Sequence, residues 1–233
     1  MSMNENLCRK PYSEIKEKVT KFWQENKDKY PQVCQDGMWE DILADYTFFE
    51  IPCEVSQIYD YLDLLKDENN IYKLFANFYF DYFEDPYNKN IIDIASGCIP
   101  ASALRLQEGI ALNGGQGKVT AYDPWMLDLK FPGLKVKRKE FTEKTGIKKA
   151  DILTATLPCA ATELIIYRAI EAEKEFLIQL CPCVPEEYSP LVSYHMWVNR
   201  LYDYVKLYKK PGFQFEIDNL DKNLWPLLSL KRK

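Results

Sequence analysis

The chain has 233 residues, 47% of them hydrophobic and 28% charged. That composition supports a buried core and excludes a disordered chain, and no apolar run reaches the roughly 20 residues needed to cross a bilayer. The formal net charge of -5 excludes broad, sequence-indifferent binding to nucleic acid.

The charge is unevenly spread. Residues 1–89 carry ten Lys and Arg against eighteen Asp and Glu, and residues 90–233 carry twenty against seventeen. The residue pattern changes at the same place, so two regions are expected: a helical N-terminal cap over 1–89 and an α/β domain over 90–233, with the boundary near Asn88. The opening segment "MSMNENLCRKPYSEIKEK" lacks the apolar core of a signal peptide. Seven cysteines, an odd number, favour reduced thiols over a disulfide framework. A cytoplasmic protein is expected.

In chain order, "YSEIKEKVTKFWQENKDKY" places Ile15, Val19 and Phe22 on one face at helical spacing. "CEVSQIYDYLDLLKD" repeats the pattern with Val55, Ile58, Leu62 and Leu65. "NIYKLFANFYFDYF" is apolar nearly all round, which suits a buried helix or one stacked on a partner. Its aromatic richness is read as core, or as a cap shaping a pocket, and these acidic, aromatic helices are also where a protein partner would be held. From Asn90 short strands alternate with helices: "IIDIA", a helix over "ASALRLQEGIALN", then "KVTAYD", "LKVKRKEF" and "ADILTAT". A helix over "AATELIIYRAIEAEK", the strand "EFLIQLC" and a helix over "PLVSYHMWVNRLYDYVKLY" follow. "GFQFEIDN" and "LWPLLSLKRK" close the chain as an antiparallel hairpin. Strand–helix alternation predicts a Rossmann-like α/β fold, with a mostly parallel sheet covered by helices on both faces.

In such a sheet ligands sit beyond the carboxyl ends of the strands. The turn Ala95-Ser96-Gly97-Cys98-Ile99-Pro100 lies there: Gly97 permits close backbone approach, Ala95 and Ser96 obstruct little, and Pro100 suits a helix start. Asp123 ends the second strand, where a carboxylate can accept from both hydroxyls of a ribose. Its bland alternative is a turn acid before Pro124.

Asp93-x-x-x-Gly97, the helix and then Asp123 resemble the class I S-adenosylmethionine-dependent methyltransferases. That family's sheet has five parallel strands and a final antiparallel hairpin, an order that the predicted strands follow from Ile91 to Lys231. Where the family has a Gly-x-Gly-x-Gly turn, this chain has Ala95, Gly97 and Ile99. The resemblance implies S-adenosyl-L-methionine as cofactor, with Ala95, Ser96 and Gly97 against its methionine part and Asp93 near the amino end. It also implies ribose binding by Asp123, and an adenine site flanked by Trp125 and Met126 with Glu143 or Thr142 as a further contact. After the fourth strand, Thr156, Pro158 and Cys159 would border the methyl and its acceptor. Amino-methyltransferases often carry Asn/Asp-Pro-Pro-aromatic there; Leu157-Pro158-Cys159 does not, so adenine methylation is not inferred. Pro158-Cys159 with the Cys181-x-Cys183 turn looks instead like a subgroup that carries Pro-Cys-Cys. Cys159 could also be a nucleophile, but is read first as a small buried thiol that needs no function.

Cys98, Cys159, Cys181 and Cys183 fall at strand ends on one rim, but their spacing lacks the paired knuckles of a structural zinc site, so no metal is expected. His195, the sole histidine, reads as a packed or surface residue. No Ser-His-Asp arrangement, phosphate-binding Gly-x-x-x-x-Gly-Lys loop or His-Glu-x-x-His is present. The run "LKVKRKEFTEKTGIKK" suits either an anionic acceptor such as RNA or a solvated strand edge. The resemblance therefore implies methyl transfer onto an unidentified small molecule, protein or RNA. The alternatives are a catalytically inactive scaffold of the same fold and a nicotinamide-dependent enzyme.

Overall fold

A computed structural model describes residues 12–29, 53–181, 192–219 and 226–233. The expected strand start at Leu224 and Trp225, and Cys183 of the cysteine-rich turn, lie outside the described residues.

The helices are α1 (Tyr12–Asn26), α2 (Cys53–Tyr61), α3 (Ile71–Tyr82), α4 (Ala101–Leu112), α5 (Thr162–Glu171) and α6 (Tyr194–Tyr208). The strands are β1 (Ile91–Ile94), β2 (Val119–Tyr122), β3 (Lys135–Lys137), β4 (Ile152–Thr156), β5 (Glu175–Gln179), β6 (Phe213–Asn219) and β7 (Pro226–Arg232). Among the described residues they form a seven-stranded sheet of order β3-β2-β1-β4-β5-β7-β6. Strands β1 to β5 run parallel, and β7 is antiparallel to both β5 and β6. This is the Rossmann-like α/β sheet with a C-terminal hairpin that the pattern predicts.

Every residue of β1, β4 and β5 is buried, as befits parallel strands covered on both faces. Alternate side chains feed two cores. Ile91, Val119, Ile152, Leu177 and Leu227 face one core, shared with Ile15 and Val19 of α1, Ile58 of α2, Phe75 and Tyr79 of α3, and Leu106 of α4. Ile92, Leu153, Phe176 and Leu228 face the other, with Ile165 of α5 and Trp197, Leu201 and Val205 of α6. The helices before β1 thus share a core with the sheet. Each fully buried Ile or Phe in it stabilises by about 1.5–3 kcal/mol.

Polar contacts bind the same helices to α4. Asp60, at the end of α2, accepts from Arg105 Nη2 at 2.8 Å and from Asn70 Nδ2 at 2.5 Å. Asn70 Oδ1 in turn caps α3 by accepting from the backbone of Tyr72 and Lys73. This explains where the sequence expectation fails. The helix predicted through Asp67 stops at Tyr61, and Asp63 takes a φ of 54° so that the chain can turn back to Asn70. Gly109 allows Phe80 of α3 to lie against α4, in space that a Cβ would fill.

Strand β3 is also shorter than expected, ending at Lys137 where the sequence pattern runs on to Phe141. Its pairing partner β2 ends with Tyr122, so Arg138 is free to turn and donate to the carbonyls of Leu127 and Leu129. The crossover from β3 to β4, residues 138–151, contains no helix.

Candidate functional site

Strand β1 delivers the chain into a turn at the carboxyl end of the sheet. Ala95 has φ 55° and Gly97 φ 75°, and Pro100 sits at the N-cap of α4. For alanine the left-handed conformation costs about 1–2 kcal/mol. The turn therefore bends at the residue where a glycine would be at ease, with alanine in its place.

Two carboxylates brace this turn. Asp93 is 1% exposed, and its oxygens accept from Thr154 Oγ1 at 2.8 Å and Ser96 Oγ at 2.7 Å. Burial pushes its pKa up to about 6, the two hydroxyls oppose the rise, and the nearby Asp123 adds to it. Asp123 follows β2 directly. Its Oδ2 accepts from Gly97 N at 2.9 Å and its Oδ1 from Trp125 N at 2.7 Å. Burial raises its pKa as well, against the pull of the Trp125 and Gly97 amides. Hydrogen bonds thus join the expected residues Asp93 to Ser96 and Asp123 to Gly97 and Trp125 around the turn that Ala95 bends, and Thr154 ties Asp93 to the middle of β4.

The close approach that Gly97 permits is made by a residue of the protein itself. A Cβ on Gly97 would overlap the side-chain amide of Gln57, which projects from α2. Gln57 Nε2 donates to Ser96 O at 3.1 Å, and its Oε1 accepts from Ile99 N at 3.3 Å. Nothing in the sequence singles Gln57 out: it is a polar residue beside the apolar Ile58, yet only 5% exposed. Its role is visible only once the helix is docked.

The remaining expected residues fall in three places. Trp125 is 43% exposed, whereas its neighbour Met126 is 1% exposed within the core beside Leu127 and Phe131. Glu143 lines a separate cleft of about 390 Å³ with Glu163, Tyr167, Arg200 and Tyr204, between α5 and α6. Thr156, at the end of β4, is bridged to the start of α4 by Ser102 Oγ, 2.6 Å from its Oγ1. Pro158 caps a short 3-10 turn over Cys159–Ala161, and Cys159 is exposed, unlike the buried thiol of the bland reading. His195 lies edge-on to Tyr194 on α6. Among the described residues no group of His, Cys, Asp and Glu could hold a metal ion, and no helix is long and apolar enough to cross a membrane.

No sequence-family model and no curated protein sequence matches this chain. Solved structures do. A chain of a fibrillarin/Nop5p complex is 10% identical, covering 63% of this chain and 74% of that one, with a TM-score of 0.44. Precorrin-6y C5,15-methyltransferase from Geobacter metallireducens is 11% identical over 70% of this chain and 89% of that one, also at 0.44. Human N-acetylserotonin methyltransferase, in complex with SAM, is 14% identical over 79% of this chain and 61% of that one, again at 0.44. At identities of 10 to 14% these are likenesses of chain path and nothing further.

Proposed function

We propose that the chain binds S-adenosyl-L-methionine at the turn after β1 and transfers its methyl group to an unidentified acceptor, a small molecule, a protein or RNA. The observation that carries this reading is the bond from Gly97 N to Asp123, which sets a carboxylate at the end of β2 against the turn. The fit rests on unused capacity. A carboxylate offers about four lone-pair positions, and Asp123 uses two of them on backbone amides, leaving one on each oxygen for ribose hydroxyls. The half-exposed ring of Trp125 offers an apolar face to adenine.

When bound, the cofactor supplies a methyl group on a sulfonium, already activated towards displacement. The protein contributes position. Asp93 holds Ser96 and Thr154 and so fixes the turn relative to β4, a positioning role in place of the contact expected for it. Thr156, Pro158 and Cys159 border the acceptor side. Residues 1–89 act as a cap, anchored through Gln57.

One observation favours a second reading. Gln57 already satisfies the turn's backbone at Ser96 and Ile99 and fills the space beside Gly97, as expected of a fold retained as a scaffold that holds a protein partner. Calorimetric titration with S-adenosylmethionine and S-adenosylhomocysteine, with NAD as control, separates the two. Micromolar binding that weakens ten-fold or more in Asp123→Ala, about 1.4 kcal/mol, supports the enzyme. No binding to a folded sample leaves the scaffold.

A further inference from the structure

The loops after β4 and β5 bring two sulfur atoms together. Cys159 Sγ lies 3.4 Å from Cys181 Sγ, the first thiol exposed and the second buried. The sheet enforces this proximity. Thr156 is registered with Gln179, and Leu157 N donates to Gln179 O at 2.9 Å, so the two loops leave the sheet side by side. Leu157 and Cys159 both take positive φ, 56° and 45°, which bends this loop sharply. Non-glycine residues hold such angles at a cost of about 1–3 kcal/mol each, and strained loops of this kind cluster at functional sites.

We propose that Cys159 and Cys181 form a reversible oxidation site that closes to a disulfide when a hydroperoxide reaches Cys159. The Cys159 thiolate attacks the peroxide, the O–O bond breaks, and the departing oxygen takes a proton to leave as an alcohol or water. Cys159 is then a sulfenic acid. The Cys181 sulfur attacks the Cys159 sulfur and expels hydroxide, which combines with the Cys181 proton to form water. Two thiols have lost two electrons in all, and the peroxide has gained them.

The accessible thiol is the one that meets the oxidant, and the buried thiol is placed to resolve the sulfenic acid before further oxidation. The sulfurs need only close from 3.4 Å to about 2.05 Å. The linkage would tie the ends of β4 and β5 together beside Thr156 and Pro158. On the methyl-transfer reading that stiffens the acceptor side, but the oxidation site stands whether or not that reading holds.

The test uses the full reduced chain, titrated with hydrogen peroxide, blocked with N-ethylmaleimide and digested without reductant. The expected result is that the first disulfide to form joins the Cys159 and Cys181 peptides. Before blocking, the intact mass should fall by about 2 Da, one hydrogen per thiol, and recover with dithiothreitol. Cys159→Ser, at an exposed position, should fold normally and leave Cys181 fully alkylated after denaturation. Three outcomes overturn the proposal: a first disulfide between other cysteines, Cys159 passing to the sulfinic acid with Cys181 still reduced, or both thiols staying reduced while other cysteines oxidise.

Discussion

Gln57 Nε2 donates to the carbonyl of Ser96 at 3.1 Å, joining α2 to the turn after β1 across 39 residues of sequence. The same amide accepts from Ile99 N, so one buried side chain satisfies both a backbone acceptor and a backbone donor. Gln57→Ala strands both groups, and each buried unsatisfied group costs about 1–3 kcal/mol. Urea unfolding should show a loss of at least about 2 kcal/mol. Gln57→Glu should be worse at neutral pH, because a carboxylate cannot donate to Ser96 O and would sit near Asp93 and Asp123. Lowering the pH should bring the Glu variant back towards wild type. A Glu variant as stable as wild type at pH 7 would show that the bond to Ser96 contributes little.

Gly97→Ala meets two separate obstacles. Its φ of 75° is left-handed, and its Cβ would overlap the Gln57 amide. The first costs about 1–2 kcal/mol and remains whatever the neighbour; the second disappears when Gln57 is shortened. The double variant Gln57→Ala/Gly97→Ala should therefore be less destabilised than the sum of the two singles. A coupling above about 0.5 kcal/mol in the double-mutant cycle is expected, and strict additivity would mean that the amide moves aside freely.

The pH dependence of stability carries a definite sign. Asp93 titrates near 6 in the folded chain against an ordinary value of 3.8, so between those limits the folded state binds more protons than the unfolded. Its contribution is fully present below pH 3.8 and is lost as pH rises through about 6. The total lost is on the order of 3 kcal/mol. Asp123, also raised by burial, acts in the same direction. In Asp93→Asn the fall in stability from pH 4 to pH 6.5 should shrink, and an unchanged slope in denaturant titrations across that range would contradict the assignment.

Asp60 is 2% exposed and accepts from both Arg105 and Asn70. Asp60→Ala takes the acceptor from the Asn70 amide and one of several from the Arg105 guanidinium, which keeps Glu108 and the backbone carbonyl of residue 60, at a cost of about 1–3 kcal/mol. Asp60→Asn keeps an acceptor and should lose less. Hydrogen exchange should show α2 and α3 opening first in the Ala variant; uniform loss across the sheet would mean that these helices do not open separately from it.

The strands that the sequence announces most clearly, "IIDI", "ILTAT" and "EFLIQ", are those whose local pattern and tertiary place agree, since a short apolar run has few other uses. The place of Asp123, directly after β2 and bonded to the turn, is legible for a related reason: strand ends can be read locally. Gln57 is not legible, because its partners lie in a turn that meets α2 only after folding. For Met126 and Glu143, residue type suggested contact with an adenine, and the structure sets Met126 in the core and Glu143 in the cleft against α5 and α6. The early end of β3 depends on the length of its partner, which no stretch of β3 itself encodes.

The place of β7 between β5 and β6 has a consequence for the chain as it is made. Strand β5 leaves the ribosome well before residues 226–232, and β6, the strand made just before them, does not pair with it. Until β7 arrives, the nascent protein carries an apolar sheet with one flank open to any extended segment nearby. Synthesis that pauses after β6 exposes that flank for as long as the pause lasts. The interval between β5 and β7 is therefore when this protein is most open to capture by a chaperone, or by another copy of itself.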